Sequence, residues 1–213
     1  MHSAGIRYIP LYTTFAITCV LLSRSVCLPH VDLQVYGPHI AILYASRSAQ
    51  KTLDSLGHYF HTGTDLSTKL GLASASYELV ASLPQIVQYF GPEKKKTWEA
   101  ITMHEEKLQA ILLDYLRRRN DIITIHGEQS ADRLKRVPVV SFSVKGKSSK
   151  DIVEMIEAKS NFGCRSGHFY SKRMVDDLLG LGDCDGVVRV SMVHYNTEEE
   201  IGRYVEVLDE VLQ

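Results

Sequence analysis

The run NFGCRSGHFYSKRMVDDLLGLGDCDGVVRVSMVHYNT, from Asn161 to Thr197, decides how the chain is read. In its strand-like part, Val187 to Val193, alternation puts Val188, Val190 and Met192 on one face and Val187, Arg189, Ser191 and Val193 on the other. One face belongs to a core. The other presents a guanidinium among apolar neighbours, and removing water from an unpaired cation costs several kcal/mol. Arg189 therefore needs a partner, either an acid of the same protein or the carboxylate of a ligand. Upstream, an irregular Gly-rich loop with Arg165, Gly167 and His168 leads into a short helix.

Around this run the chain alternates strands and helices. Ile122 to Ile125 reads as a short strand, and Val140, Phe142 and Val144 share one face of the next. Ser148 with Asp151 resembles a capping arrangement for a helix carrying Ile152, Val153 and Ile156. Thr197 with Glu200 forms a fuller capping box ahead of Ile201, Tyr204, Val205, Leu208 and Leu212. The residues from 121 to 213 thus predict a small α+β domain with one sheet face covered. Before it, Glu93 to Arg119 predicts a long helix, with Ile101, Leu108, Leu112 and Tyr115 as its apolar stripe and Arg117 to Arg119 at the negative end of its dipole.

Farther upstream, Leu70 to Phe90 is helical in pattern around Pro84, which either kinks it or divides it. Ile40 to Tyr44 is continuously apolar, as in a parallel strand covered on both faces, and Ser48 to Leu56 supplies a following helix. His58 and His61 read as solvated loop histidines, and no metal site is expected. Residues 1–34 differ from the rest. Arg7 followed by the apolar run Ile9 to Leu22 is signal-like, with a poor cleavage pattern at Ser25 and Cys27, and too short to span a membrane comfortably.

The chain has 213 residues, 45% of them hydrophobic, enough for a real core. Its formal net charge of -1 argues against a generic nucleic-acid binder. Cys19, Cys27, Cys164 and Cys184 show neither a CxxC pair nor a metal-ligand rhythm, which fits free thiols in a reducing, cytoplasmic setting. The signal-like segment is the argument for a secretory alternative.

The set RSGHFY followed by GLGDCDGVVRVSMVHYNTEEEI, with VYGPHIAILYASR at Val35 to Arg47 and YELVASLPQIVQYFG between, resembles the class V aminotransferases, pyridoxal-phosphate enzymes that include the cysteine desulfurases. The resemblance covers Val35 to Gln213. It implies an α/β fold in four parts. These are a divergent segment 1–34, the trailing part of a type I large domain at 35–92, a connecting helix at 93–120 and the small domain at 121–213. It also implies an amino-acid-like substrate, pyridoxal 5'-phosphate as cofactor, and a homodimer or a heterodimer with a homologue.

Residue by residue, the resemblance makes Arg189 the substrate-carboxylate ligand, a role that suits the planar guanidinium fork. It places Arg165, Gly167 and His168 in the loop near the substrate, and loosely aligns Ser74 with a phosphate-binding position, where a helix-cap serine is the plain alternative. The Schiff-base lysine position falls on Gln34, whose amide cannot form the aldimine. The sulfur-accepting cysteine position of the desulfurases falls on Tyr170, a phenol rather than a thiolate. The expectation is a class V aminotransferase relative, truncated and inactive alone, with no catalytic residue of its own. A noncatalytic subunit that pairs with a complete homologue is the rival reading.

Overall fold

The computed structural model describes residues 26–27, 40, 43–54, 63–71, 76–181 and 185–213. Gln34, Gly37, His58, His61 and Ser74 lie outside the described residues. The chain divides into two compact units, Met1–Glu93 and Lys94–Gln213.

In the first unit, β1 (Val26–Cys27) pairs antiparallel with β2 (Tyr44–Ala45). This differs from the expected parallel strand over Ile40 to Tyr44. The side chain of Ser46 ends β2 by accepting the Ala49 N–H, which starts helix α1 (Arg47–Thr52) one residue later. Asp65 caps α2 (Leu66–Leu70), and Lys69 then donates to the Gln50 and Leu53 carbonyls at 2.7 and 2.9 Å. The helix expected from Leu70 onward begins at Tyr77. It is α3 (Tyr77–Tyr89), which runs through Pro84 and buries none of its side chains.

The second unit opens with α4 (Lys94–Arg118), the long helix expected from its stripe. Ile101, Leu108, Leu112 and Tyr115 are all buried. So are Glu105 and Gln109, two polar residues that the apolar stripe did not predict. Gln109 donates to the Ala131 carbonyl at 2.7 Å and so ties down the loop after the first strand.

The sheet that follows is antiparallel, in the order β3 (Ile123–His126), β4 (Val139–Val144), β6 (Val187–Ser191), β5 (Arg165–Gly167). Ile123, Val140, Phe142, Val144, Val188 and Val190 face a core shared with α4, with α5 (Ser149–Lys159) and with α6 (Glu198–Leu212). Phe142, Leu108, Leu112, Leu116 and Leu208 are sealed from solvent. At about 1.5–3 kcal/mol for each large apolar side chain buried, this layer dominates the unit's stability. The other sheet face carries Thr124, His126, Ser141, Ser143, Arg189 and Ser191, all at least partly open.

Capping residues fix where the helices begin. Thr197 and Glu200 form the expected box on α6. Ser148 accepts the Asp151 N–H on α5 as expected, and itself donates to Asp185, 37 residues away. Asp185 also accepts the N–H groups of Ser149 and Lys150 at 2.8 and 2.7 Å and the Ser149 hydroxyl at 2.8 Å. It therefore fastens the start of α5 to the start of β6. Partial burial pushes its carboxyl up, but the donors on Ser148, Lys150 and Ser149 prevail and hold it down to about 2.

A carboxyl held below its unfolded value contributes stability that is complete above that value, and loses it as pH falls through the folded one. Asp185→Asn is therefore expected to flatten the fall in unfolding free energy between pH 5 and 2. After allowance for solvent screening, the difference from the parent chain is about 1 kcal/mol. Urea titrations at a series of pH values measure it, and parallel curves for the two proteins would refute the role given to Asp185.

Candidate functional site

The strand register builds a row of side chains across the open face of the sheet. His126 stands opposite Ser141, Ser141 opposite Arg189, and Arg189 opposite Arg165. Directly opposed residues of an antiparallel pair share a face. One line across the four strands thus runs imidazole, hydroxyl, guanidinium, guanidinium.

Arg189 is half-buried, and its pKa is lowered, first by burial and then by the charge of Arg165. Arg165 is exposed and makes no ion pair among the described residues. Two like charges directly opposed destabilise a strand pair. An anion seated against them would relieve that repulsion. His126 sets its Nε2 2.9 Å from the Ser143 hydroxyl, and burial lowers its pKa, which favours a neutral hydrogen-bonding group at its end of the row. The phenylalanine at 169 lies against Arg189, with the guanidinium carbon 4.2 Å from the ring centroid.

The loop around Arg165 is more ordered than its sequence indicates. Arg165–Gly167 is a strand, not an irregular loop, because β6 supplies it with hydrogen-bond partners. Gly186 allows that pairing. At φ +101 it adopts a backbone that disfavours side chains, and a Cβ there would lie 2.3 Å from the Gly167 carbonyl. Beyond Gly167 the chain turns through Phe169 and Tyr170, both at positive φ. The Tyr170 side chain is 98% exposed. His168 directs Nε2 towards the Asp176 carboxylate at 3.5 Å, and Asp176 also pairs with Lys172. The short helix expected here is a π-helical turn, Met174–Leu178, anchored by buried Val175.

The sequence-derived candidates divide accordingly. Arg165, Gly167, His168 and Arg189 come together around β5 and β6, whereas Gln34 and Ser74 lie outside the described residues. Cys164 is buried in the core, where desolvation raises its thiol pKa, an environment unsuited to a thiolate nucleophile. His194 belongs to a different cluster. Its pKa is lowered by burial and by His104, whose Nε2 meets the Asn196 carbonyl at 2.7 Å.

Sequence reasoning did not find Phe169, Asp176 or His126 as members of the site. His126 was lost because the strand was ended at Ile125. The other two have no periodic relation to Arg189 and meet the site only through the turn. No group of three or more His, Cys, Asp or Glu side chains suited to a metal occurs among the described residues.

This donor set fits the anionic end of a small molecule. It offers cations and hydroxyls, while the lysine of the neighbouring turn, Lys172, is paired with Asp176.

Residues 35–204 match the family described as Aminotransferase class-V. The aminotransferase-like protein FGM3 of Gibberella zeae is 52% identical over 84% of this chain and 44% of its own length. The cysteine desulfurase-like protein ustD of Aspergillus flavus is 35% identical over 91% of this chain and 48% of its own. The chain thus spans less than half the length of these two relatives. Among solved structures, the apo cysteine desulfurase of Thermococcus onnurineus superposes with a TM-score of 0.71 at 20% identity, over 88% of this chain and 46% of that one. That likeness establishes a mixed α/β fold corresponding to part of a type I pyridoxal-phosphate transferase.

The close approach of Gly186 to Gly167 yields a direct expectation. Gly186→Ala introduces both a disfavoured backbone angle and a clash with backbone, and should destabilise the chain by about 1–3 kcal/mol. Gly180→Ala, also at positive φ but with nothing within 4 Å of the added Cβ, should cost less. Denaturant midpoints of the two variants make the comparison, and equal costs would contradict a register dependent on that approach.

Proposed function

The chain belongs to the class-V aminotransferase family, and from that premise we propose that it supplies the substrate-carboxylate side of such an enzyme, with Arg189 as the ligand for an amino-acid-like small molecule. The family is pyridoxal-phosphate dependent. When bound, that cofactor supplies an electron sink for bonds to the amino-acid α-carbon.

The observation that carries the reading is the paired cation row, Arg189 opposite Arg165, on the open face of a sheet whose other face is core. A guanidinium gives a carboxylate two parallel hydrogen bonds, and partial burial strengthens them by lowering the competition from water. Ser141 and His126 extend the same row with neutral polar groups. Arg165, Gly167 and His168 form the loop beside the substrate. In its chemistry the substrate is an amino acid or close analogue.

The sulfur-accepting function of the desulfurases is not assigned to this chain. Tyr170, at the position that the resemblance gives to their cysteine, offers a phenol to solvent. Gln34 stands where the resemblance puts the Schiff-base lysine, so the chain by itself is proposed to be catalytically inactive. Pyridoxal 5'-phosphate with the full-length chain, followed by borohydride and peptide mass mapping, should give no reducible aldimine band and no labelled lysine. A single labelled lysine would overturn the inactive assignment.

A second reading, that of a noncatalytic subunit pairing with a complete homologue, is favoured by α3. Its Tyr77, Val80 and Val87 side chains are 76%, 49% and 51% exposed, an apolar surface that another chain would cover. Co-expression with a complete class V homologue should then yield a mixed complex with altered activity. Exclusive self-association would reject this reading.

No helix among the described residues is long and apolar enough to cross a membrane. We place the protein in the cytoplasm, in keeping with its unpatterned cysteines. The mass of its N-terminal peptide tests this, because a mature start near Leu28 would indicate export.

A further inference from the structure

We propose that Ser143 and His126 form a second reactive pair, a nucleophile and its base, that takes the acyl group of a small ester at a cavity beside β3 and β4. The inference does not draw on the reading of Arg189, and it goes beyond the pyridoxal-phosphate chemistry of the family.

His126 sets its Nε2 2.9 Å from the Ser143 hydroxyl, the separation at which a base takes the proton of a nucleophile. That contact is the one hydrogen bond of this hydroxyl among the described residues, so the imidazole nitrogen is the acceptor that the protein offers its proton. Burial lowers the His126 pKa, which keeps the ring neutral and its nitrogen able to accept. The two residues stand on paired strands, with Thr124 opposite Ser143 and His126 opposite Ser141. Paired strands hold side chains more closely than a loop does. His126 forms no ion pair with a carboxylate among the described residues, so the arrangement is a dyad and not a triad.

The surroundings supply room and charge. Ser143 lines a cavity of about 640 Å³ together with Thr124, Val144, Lys145, Leu181 and Gly186, a volume suited to a small molecule. Leu181 gives it an apolar wall, and Thr124 adds a hydroxyl. Lys145 follows Ser143 by two residues and is exposed, with no ion pair among the described residues. Its ammonium suits the carbonyl oxygen that becomes negative when the acyl carbon is attacked.

In the first step the Ser143 oxygen bonds to the acyl carbon and the bond from that carbon to the alcohol oxygen breaks. The hydroxyl proton passes through His126 to the departing oxygen. Water then attacks the acyl-serine, His126 takes one of its protons and returns it to the Ser143 oxygen, and the free acid leaves. No electrons are gained or lost.

The test treats the full-length chain with 4-nitrophenyl acetate and follows two readings, the 4-nitrophenolate released and the residue acetylated, the latter by peptide mass mapping after an acid quench. A first burst of 4-nitrophenolate and an acetyl group on Ser143 are expected. Ser143→Ala should lose both, and Ser143→Cys, which keeps a nucleophile of similar size, should be acetylated again. His126→Gln leaves the hydroxyl a hydrogen-bonding neighbour that cannot take its proton, and should slow the burst about a hundredfold.

Acetyl on lysines alone in the parent chain, with none on Ser143, would overturn the proposal without any variant. So would a His126→Gln chain acetylated at Ser143 at the parent rate, which would make His126 a structural neighbour of the hydroxyl rather than its base.

Discussion

The site depends on how closely two backbones approach. Gly186 and Gly167 bring the ends of β6 and β5 nearer than any Cβ would permit, and the pairing that results places Arg165 opposite Arg189. A shift of one residue would turn Arg189 into the core and bring Val188 or Val190 out, because strand side chains alternate with a period of two. The charge and the core therefore specify the same register. Asp185, immediately before Gly186, fastens this strand start to the N-terminus of α5 through four hydrogen bonds to its carboxylate.

A sheet with one face buried and the other polar offers a rigid platform for recognition. The buried face holds the strands in place, and the open face displays a fixed row of hydrogen-bonding and charged groups. Two guanidiniums opposite one another are unfavourable, and on the proposed reading an anion seated there would offset the repulsion. The turn through Phe169 and Tyr170 is a second local strain beside the first, and both lie at the proposed carboxylate site. Such clustering is expected where local stability gives way to function.

The division of labour within the chain is also physical. On the proposed reading the groups on the open sheet face would recognise an anion, whereas the chemistry of an amino-acid α-carbon requires a reactive amine and its cofactor. The position that the resemblance assigns to the amine holds Gln34, which is the ground for proposing that the chain is inactive alone.

Much of the second unit was legible from local pattern. The period of α4, the alternation of β4 and β6, the cap at Ser148 and the box at Thr197 and Glu200 are written in short-range spacings, and each has the structure that its spacing implies. Apolar periodicity did not show that Glu105 and Gln109 are buried, because polar side chains can be sheltered by partners distant in sequence. It also did not show that Tyr44 and Ala45 pair antiparallel with Val26 and Cys27, where a parallel strand is expected. The sequence by itself determined that Arg189 would stand opposite a core face and that the chain resembles its family, since both rest on residue order. Tertiary structure decided that Arg165, Ser141 and His126 align with Arg189, that Phe169 lies against it, and that Asp185 caps a helix 37 residues away. Those contacts join residues far apart along the chain, and their geometry is set only when strands pair and the backbone turns.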